Sequence, residues 1–404
     1  MSNGPLTGVK VIDLTQFESG TVCTESLAWM GAEIWKVERP ESGELGRYSV
    51  AKPGIDTYGF LILNMNKKSI TCNLKSPEGI GLIKKLLEKA DVIVENMGPG
   101  SMERLGLSYE DCKAVNNKII YASIKGFALD SPYADYPAFD PVAVHTGGLV
   151  AVTGLPDAPL KPGASIADSG SGLTCAMAIC AALYQRNTQG VGQRIDVAMQ
   201  DFIIGLGRTG WEPYYNSGGV PPKRVGNGMP LEDVAPAGTY RCKPGGINDF
   251  VHVYCSRAPG SKDFVRLCKI IGREDLVDDA RMQTPQSRYK HSEELDTIIT
   301  EWTMRHTKFE AMDILAKAGI PAGALLDISD FANDPKYIEQ GIIVEVEHKD
   351  LGRVKVPGFA PKMSENNIDY RVSPGLGENN EEVYGEVLGI GSAELARLKE
   401  LKVI

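Results

Sequence analysis

Asp168 stands in the run Ile166-Ala167-Asp168-Ser169-Gly170-Ser171-Gly172, where an acidic side chain meets the start of a helix rich in small residues. Aspartate is a favoured N-cap, and capping alone accounts for an acid at this point. The position also suits a carboxylate nucleophile. A helix start offers backbone N–H groups and the positive end of a dipole, which keep Asp168 ionised, while Gly170 and Gly172 let a ligand approach the backbone. The two roles are compatible. Because a carboxylate is a weak nucleophile, the chemistry requires an activated acyl group such as a thioester, in a site that excludes water and directs donors at the developing oxyanion. That restricts the reaction to acyl or coenzyme A transfer.

Other constellations are weaker. The 5 His show no ligand spacing with each other or with cysteine, so no metal is expected. There is no Walker-type phosphate loop, and Gly170-Ser171-Gly172 does not complete a dinucleotide fingerprint, so no redox cofactor is expected. Gly163-Ala164-Ser165-Ile166-Ala167 lacks the last glycine of a nucleophile elbow, and Ser165 reads as a loop hydroxyl.

The elements that must position Asp168 follow from the pattern. Val9–Leu14, Ile34–Val37, Ile70–Leu74, Val92–Val94 and Ile119–Ser123 are short β-branched runs alternating with helical segments, the mark of βαβ units on a parallel sheet. Ser76-Pro77-Glu78 reads as N-cap, N1 proline and first-turn acid of a helix whose apolar face is Ile80, Ile83, Leu87 and Ala90. A second helix is predicted from Gly170 to Tyr184, with Leu173, Ala176, Met177, Cys180 and Tyr184 as its apolar stripe. A Gly/Pro/Tyr-rich stretch from Tyr214 marks a boundary. The expected architecture is a doubly wound, Rossmann-like α/β large domain over 1–213, a linker over 214–237, a smaller inserted α/β domain over 238–330 and a return to the large domain over 331–404. In the small domain a strand at Phe250–Tyr254 and helices at Asp263–Ile271 and Phe309–Ala318 are expected. Ile342–His348 and Gly352–Val356 read as a hairpin, and Glu381–Lys402 as helical.

The 404 residues carry 43 Lys+Arg against 52 Asp+Glu, a formal net charge of -9, the wrong overall sign for wrapping nucleic acid or an anionic membrane surface. An anionic ligand must therefore find a local basic pocket. No apolar run of membrane-spanning length and no signal peptide is evident, and the 8 dispersed Cys read as buried small hydrophobes in a reducing compartment; a cytoplasmic location is expected.

An ordered set of motifs carries a resemblance. It runs through Pro5-Leu6-Thr7-Gly8-Val9, Met30-Gly31-Ala32-Glu33, Lys36-Val37-Glu38-Arg39-Pro40, Asn64-Met65-Asn66-Lys67-Lys68-Ser69-Ile70, Leu74-Lys75-Ser76-Pro77-Glu78-Gly79, Asp91-Val92-Ile93-Val94-Glu95-Asn96, Gly98-Pro99-Gly100, Phe139-Asp140 and Ile195-Asp196-Val197-Ala198-Met199. With Asp168 between the last two, the chain resembles the class III coenzyme A transferases, among them the formyl-CoA:oxalate, carnitine and benzylsuccinate enzymes. The resemblance implies Asp168 as nucleophile and coenzyme A, as acyl-CoA substrate, held by Arg39, Lys75, Asn96, Met97 and Arg104, with Leu74, Phe139 and Asp140 as further contacts. Lys67 and Lys68 are either a solvated basic pair or pocket residues, and Lys125 is read as structural. The resemblance also implies interlocked subunits, as a homodimer or with a related chain.

Departures from the family pattern shape the substrate expectation. Gln16 and Glu18 stand where the formyl-CoA:oxalate enzymes carry His and Gln, so both are candidate catalytic residues and oxalate is disfavoured; Glu18 reads as a second acid near the site, a carboxylate held protonated as a donor, or a surface loop acid. A tetraglycine lid is reduced to Gly245-Gly246 and the distant Pro259-Gly260. Succinyl-CoA is the favoured donor, with a dicarboxylic or aromatic acid as acceptor. Trp211, Tyr214 and Tyr215 either pack a core or interface or shape such an acceptor site. Two alternatives stay open: an acyl-CoA racemase or epimerase, which Phe139 in place of a His before Asp140 disfavours, and a non-catalytic coenzyme A-binding subunit.

Overall fold

The alternating runs become six parallel strands in the computed structural model, which describes residues 4–48, 54–229, 233–256, 258 and 261–404. They are β1 (Lys10–Leu14), β2 (Glu33–Glu38), β3 (Lys68–Thr71), β4 (Val92–Glu95), β5 (Ile120–Lys125) and β6 (Arg194–Ala198). Their order across the sheet is β3-β2-β1-β4-β5-β6, every pair parallel. This is the doubly wound arrangement the pattern predicts. Helices cover both faces, which is why β1 and β4 read as continuous apolar runs. The sixth strand goes beyond the five the sequence predicts: its residues alternate between part-buried and exposed, without an apolar run.

Helices α1 (Ser19–Trp29), α2 (Pro77–Leu87), α3 (Asp140–Thr146) and α4 (Ile166–Gln189) matter most for the site. The Ser76 side chain accepts from the Gly79 N–H, as its sequence predicts, and α2 buries Leu82, Ile83, Leu86 and Leu87. Of the expected apolar stripe of α4, Ala176 is buried and Cys180 part-buried, while the three large residues face outward. Leu173, Met177 and Tyr184 are 52, 68 and 74 % exposed, whereas Ser171, Gly172, Cys175, Ala176 and Ile179 are buried. The small residues are the buried ones because α1 lies directly against them. A Cβ on Gly172 would meet the Ser19 carbonyl at 2.3 Å, and one on Gly170 would strike the Phe202 ring at 2.1 Å. These glycines thus admit neighbouring elements of the chain, not a ligand. With 24 residues, α4 is also long and apolar enough to cross a membrane by length and composition, contrary to the expectation that no such run exists.

The chain folds as two compact units, 1–148 with 162–206 and 335–404, and 149–161 with 207–334. The second contains an antiparallel sheet of β7 (Ala237–Arg241), β8 (Phe250–Tyr254) and β9 (Ala322–Ala324), with α5 (Asp263–Ile271), α6 (Ser292–Thr303) and α7 (Lys308–Lys317) supplying its core. Gly245 and Gly246 form the turn between β7 and β8, closed by Arg241 donating to the Gly245 carbonyl and by the Gly246 N–H donating to Asp249. Pro259-Gly260 lies outside the described residues. In the first unit β10 (Ile343–His348) and β11 (Gly352–Pro357) form the expected hairpin. The segment 381–402 is two pieces, a wide helical turn Glu381–Val387 and a helix Ser392–Glu400, not one helix.

Residues 377–404 close one margin of the large sheet. Asn379 and Asn380 accept through their side-chain oxygens from the Ser69 and Thr71 N–H groups of β3 at 3.0 and 2.8 Å. Tyr384 donates to the Thr71 carbonyl, and the Val403 carbonyl accepts from Asn73. Among the described residues β3 has no strand neighbour on that side, and these groups satisfy its backbone there.

Beneath β1 and β2 lies a buried charge cluster. Asp13 accepts from the Thr15 N–H and hydroxyl and from Thr24, and pairs with the Lys67 ammonium at 3.2 Å, both side chains fully inaccessible. Lys36 donates to the Thr15 carbonyl and to Glu44, while Arg47 grips Glu38 with two nitrogens. Lys67 is therefore neither solvated nor in a pocket, and Lys68 bridges Glu33 and Glu382.

Candidate active site

The strand order reverses between β1 and β4, so the loops that follow these strands diverge and leave a crevice at their C-terminal ends. Asn96 fixes it. Its side chain accepts from the Gln16 N–H and donates to the Gln16 carbonyl, both at 2.8 Å, and donates to the Ser19 hydroxyl. Beside it, buried Glu95 accepts from the Met97 N–H and pairs with Lys125 at 2.7 Å, the structural role expected of that lysine. Phe17, in the β1 loop, is held at a left-handed backbone φ of 58°, and its ring meets Phe139 edge-on with centroids 6.1 Å apart. Such conformations in a bulky residue persist where the surroundings over-determine them.

Asp168 is the third residue of α4 and does not cap it. The cap comes from Asp140, at the start of α3, whose carboxylate accepts from the Ala167 N–H at 2.7 Å and the Asp168 N–H at 3.3 Å. Asp140, expected among the coenzyme A contacts, is 4 % exposed and engaged with this helix start. The Asp168 carboxyl is left without that satisfaction. Burial, then the negative charges of Glu18 and Asp140, push its pKa up to about 7, against the expectation that the helix start keeps it ionised. Glu18 accepts from the Ser169 hydroxyl at 2.6 Å, which draws its charge toward Asp168. Neither the Ser169 contact nor the capping role of Asp140 leaves a local mark in the sequence. The partners lie 151 and 27 residues apart, beyond the reach of any capping or periodicity pattern.

Two cavities meet here. One, of about 340 Å³, is lined by Gln16, Glu18, Asn96, Met97, Phe139 and Asp168 among others. The other, a cleft of about 680 Å³, is lined by Arg39, Leu74, Lys75, Met97 and Arg104. Gln16, Met97 and Gly98 are walls of both. The structure therefore gathers Arg39, Leu74, Lys75, Met97 and Arg104 along a cleft that adjoins a carboxyl, with Asn96 and Phe139 in the neighbouring cavity. Its acidic end has a testable consequence for any reaction that needs ionised Asp168. Below pH 7 the carboxyl takes a proton, so kcat/KM falls on the acidic side of about pH 7. Replacing Glu18 by Gln removes one like charge, and the acidic limb of the pH profile should move to lower pH; a limb that stays put would show that Glu18 does not act on Asp168.

A doubly wound sheet with a carboxyl at its switch point and a basic cleft beside it matches a described protein class: residues 6–380 fit the profile of CoA-transferase family III, and the chain belongs to that family, a family of CoA-transferase enzymes. Among its relatives are a formyl-CoA:oxalate CoA-transferase of Rhodopseudomonas palustris (strain BisA53), 38 % identical with 98 % of this chain and 96 % of that one covered, and one of Streptomyces coelicolor, 36 % identical over the whole of both. A solved CAIB/BAIF family protein from Brucella suis superposes with a TM-score of 0.83 at 31 % identity, covering 95 % of this chain and all of that one.

Proposed function

We propose that the chain moves coenzyme A from an acyl-CoA to a carboxylic acid with Asp168 as nucleophile. The observation that carries this reading is the Asp168 carboxyl in a cavity that shares walls with a cleft lined by Arg39, Lys75 and Arg104. Those cations suit the phosphates of coenzyme A in an otherwise acidic protein. With the nucleotide end in the cleft, an Asp168 oxygen attacks the thioester carbonyl. The C–S bond breaks, giving a mixed anhydride and coenzyme A thiolate. The thiolate attacks the aspartyl carbonyl, releasing the donor acid and leaving an aspartyl-CoA thioester. The acceptor carboxylate attacks that thioester to give a second anhydride, and the thiolate takes its acyl group and frees Asp168. No net proton, metal or redox cofactor enters the balance. Gln16 is the polar neighbour of the reacting carbonyl, and Glu18 tunes Asp168.

Succinyl-CoA is the proposed donor, and a dicarboxylic or aromatic acid the acceptor. Glu18 and Asp168 crowd negative charge at the reacting end, which disfavours an acceptor with two adjacent carboxylates, and the Phe17 and Phe139 rings at the cavity wall favour a longer or apolar body. The names of the relatives favour a second reading, formyl-CoA with oxalate. We further propose a cytoplasmic dimer, either of this chain or with a related subunit. The exposed Leu173, Met177 and Tyr184 face of α4 supports a partner, as do free thiols at all eight cysteines for the compartment.

Mass spectrometry after brief incubation with succinyl-CoA or formyl-CoA tests the mechanism. The expected result is a coenzyme A or acyl adduct on the peptide bearing Asp168, with the larger kcat/KM identifying the donor. Coenzyme A binding with no adduct from either donor would sink it in favour of a non-catalytic subunit, and α-deuterium exchange without transfer in favour of an epimerase.

A further inference from the structure

The 680 Å³ cleft has one wall from a segment remote in sequence from the rest of its lining. Lys402 lines the cleft opposite Glu41, and the two side chains pair across its rim at 2.8 Å. Both residues hold left-handed backbones, with φ of 54° at Lys402 and 63° at Glu41; among the described residues only Phe17 and Asn66 are other non-glycine cases. Such conformations are strained and persist where neighbours impose them. For Lys402 the imposing contacts are visible. Its N–H donates to the Lys399 carbonyl, the next N–H donates to the Leu398 carbonyl, and Val403 and Ile404 are buried in the core, with the Val403 carbonyl tied to Asn73 beside Leu74 and Lys75. The backbone of residue 402 is thus fixed to the same segment that supplies Lys75.

The ion pair itself is weak. Both side chains are about two-thirds exposed, and solvent screens such pairs almost completely. A phosphate offers an ammonium more charge than a carboxylate does and would compete for Lys402 at little cost. We infer that Lys402 is a phosphate-binding residue of the cleft, held in reserve by Glu41 and transferred to a phosphate of the phosphoadenosine end of coenzyme A when the ligand enters. This rests on the coenzyme A reading above.

Titration calorimetry with coenzyme A and with dephospho-coenzyme A on the full chain tests it, with thermal melts confirming that each variant is folded. Lys402→Gln should weaken coenzyme A by about five- to tenfold, the scale of one charged hydrogen bond at an exposed site. Glu41→Gln should tighten it, and the double variant should bind like Lys402→Gln alone, because Glu41 acts through Lys402. If the Lys402→Gln loss disappears with dephospho-coenzyme A, the phosphate is the 3′-phosphate; if it persists, it is the diphosphate. Wild-type affinity in Lys402→Gln, or an equal gain from Glu41→Gln with and without Lys402, would overturn the inference while leaving coenzyme A binding intact. Absence of coenzyme A binding by the wild type would overturn the reading beneath it as well.

Discussion

Asp168→Asn is expected to lower kcat for coenzyme A transfer by about four orders of magnitude or more, since it removes the only group proposed to bond covalently to the acyl carbon. Coenzyme A affinity should stay within about threefold, because the cleft proposed to hold the nucleotide is lined by other residues. Steady-state kinetics and calorimetry on one preparation separate the two, and a variant retaining a tenth of wild-type kcat would exclude Asp168 as nucleophile. The same substitution carries a stability signature of opposite sign. The folded pKa of about 7 lies above the ordinary carboxylate value of 3.8, so the folded chain binds this proton more tightly than the unfolded one. The associated stability is present in full below pH 3.8 and is lost as pH rises through 7. Asparagine has no charge to lose, so Asp168→Asn should melt higher than wild type at pH 8, and the difference should vanish near pH 4. A carboxyl held in so poorly satisfied a site, and proposed as the nucleophile, trades stability for reactivity.

The largest structural effect is expected from Lys67→Met. It leaves Asp13, fully buried, without the ammonium that faces it at 3.2 Å. Glu25, whose carboxyl burial pushes up to about 8, brings no positive charge, and Lys36, whose ammonium also acts on Asp13, is shared with Glu44 and the Thr15 carbonyl. Removing one partner of a buried pair costs about 3–5 kcal/mol. A fall in Tm of roughly 10 °C follows from about 2–4 °C per kcal/mol for a unit of this size. Asp13→Asn together with Lys67→Met should recover part of that fall, because the stranded charge is gone. A Tm within about 3 °C of wild type in the single variant would mean that Asp13 finds another partner. Activity should fall with stability, since Asp13 organises Thr15, one residue before Gln16.

The local parts of this molecule were legible in its sequence. The first five strands lie within a few residues of their apolar runs, and Ser76-Pro77-Glu78 announced α2, because capping and periodicity are written within a turn or two. What joins distant segments was not. Asp140 caps a helix 27 residues away, Asn96 clamps a loop 80 residues before it, and Lys67 reads equally as a solvated or a pocket lysine until Asp13 is placed beside it. The buried face of α4 escapes the sequence pattern for a related reason. Periodicity locates large apolar residues, but close approach of α1 demands small ones, and Leu173, Met177 and Tyr184 are displaced to the surface. The basic cleft was recoverable only through resemblance, and Lys402 not even then.

The margin of β3 has a consequence for how the protein is made. Ser69 and Thr71 emerge from the ribosome some three hundred residues before Asn379 and Asn380. Until those amides arrive, a nascent β3 presents a bare row of donors and acceptors, the template on which strands of other chains dock. Synthesis at about 5–20 residues per second keeps that template open for roughly fifteen to sixty seconds. Within that interval the nascent edge is open to pairing with other chains, and a chain truncated before residue 379 is expected to aggregate more readily than the full one, which light scattering of the two would check.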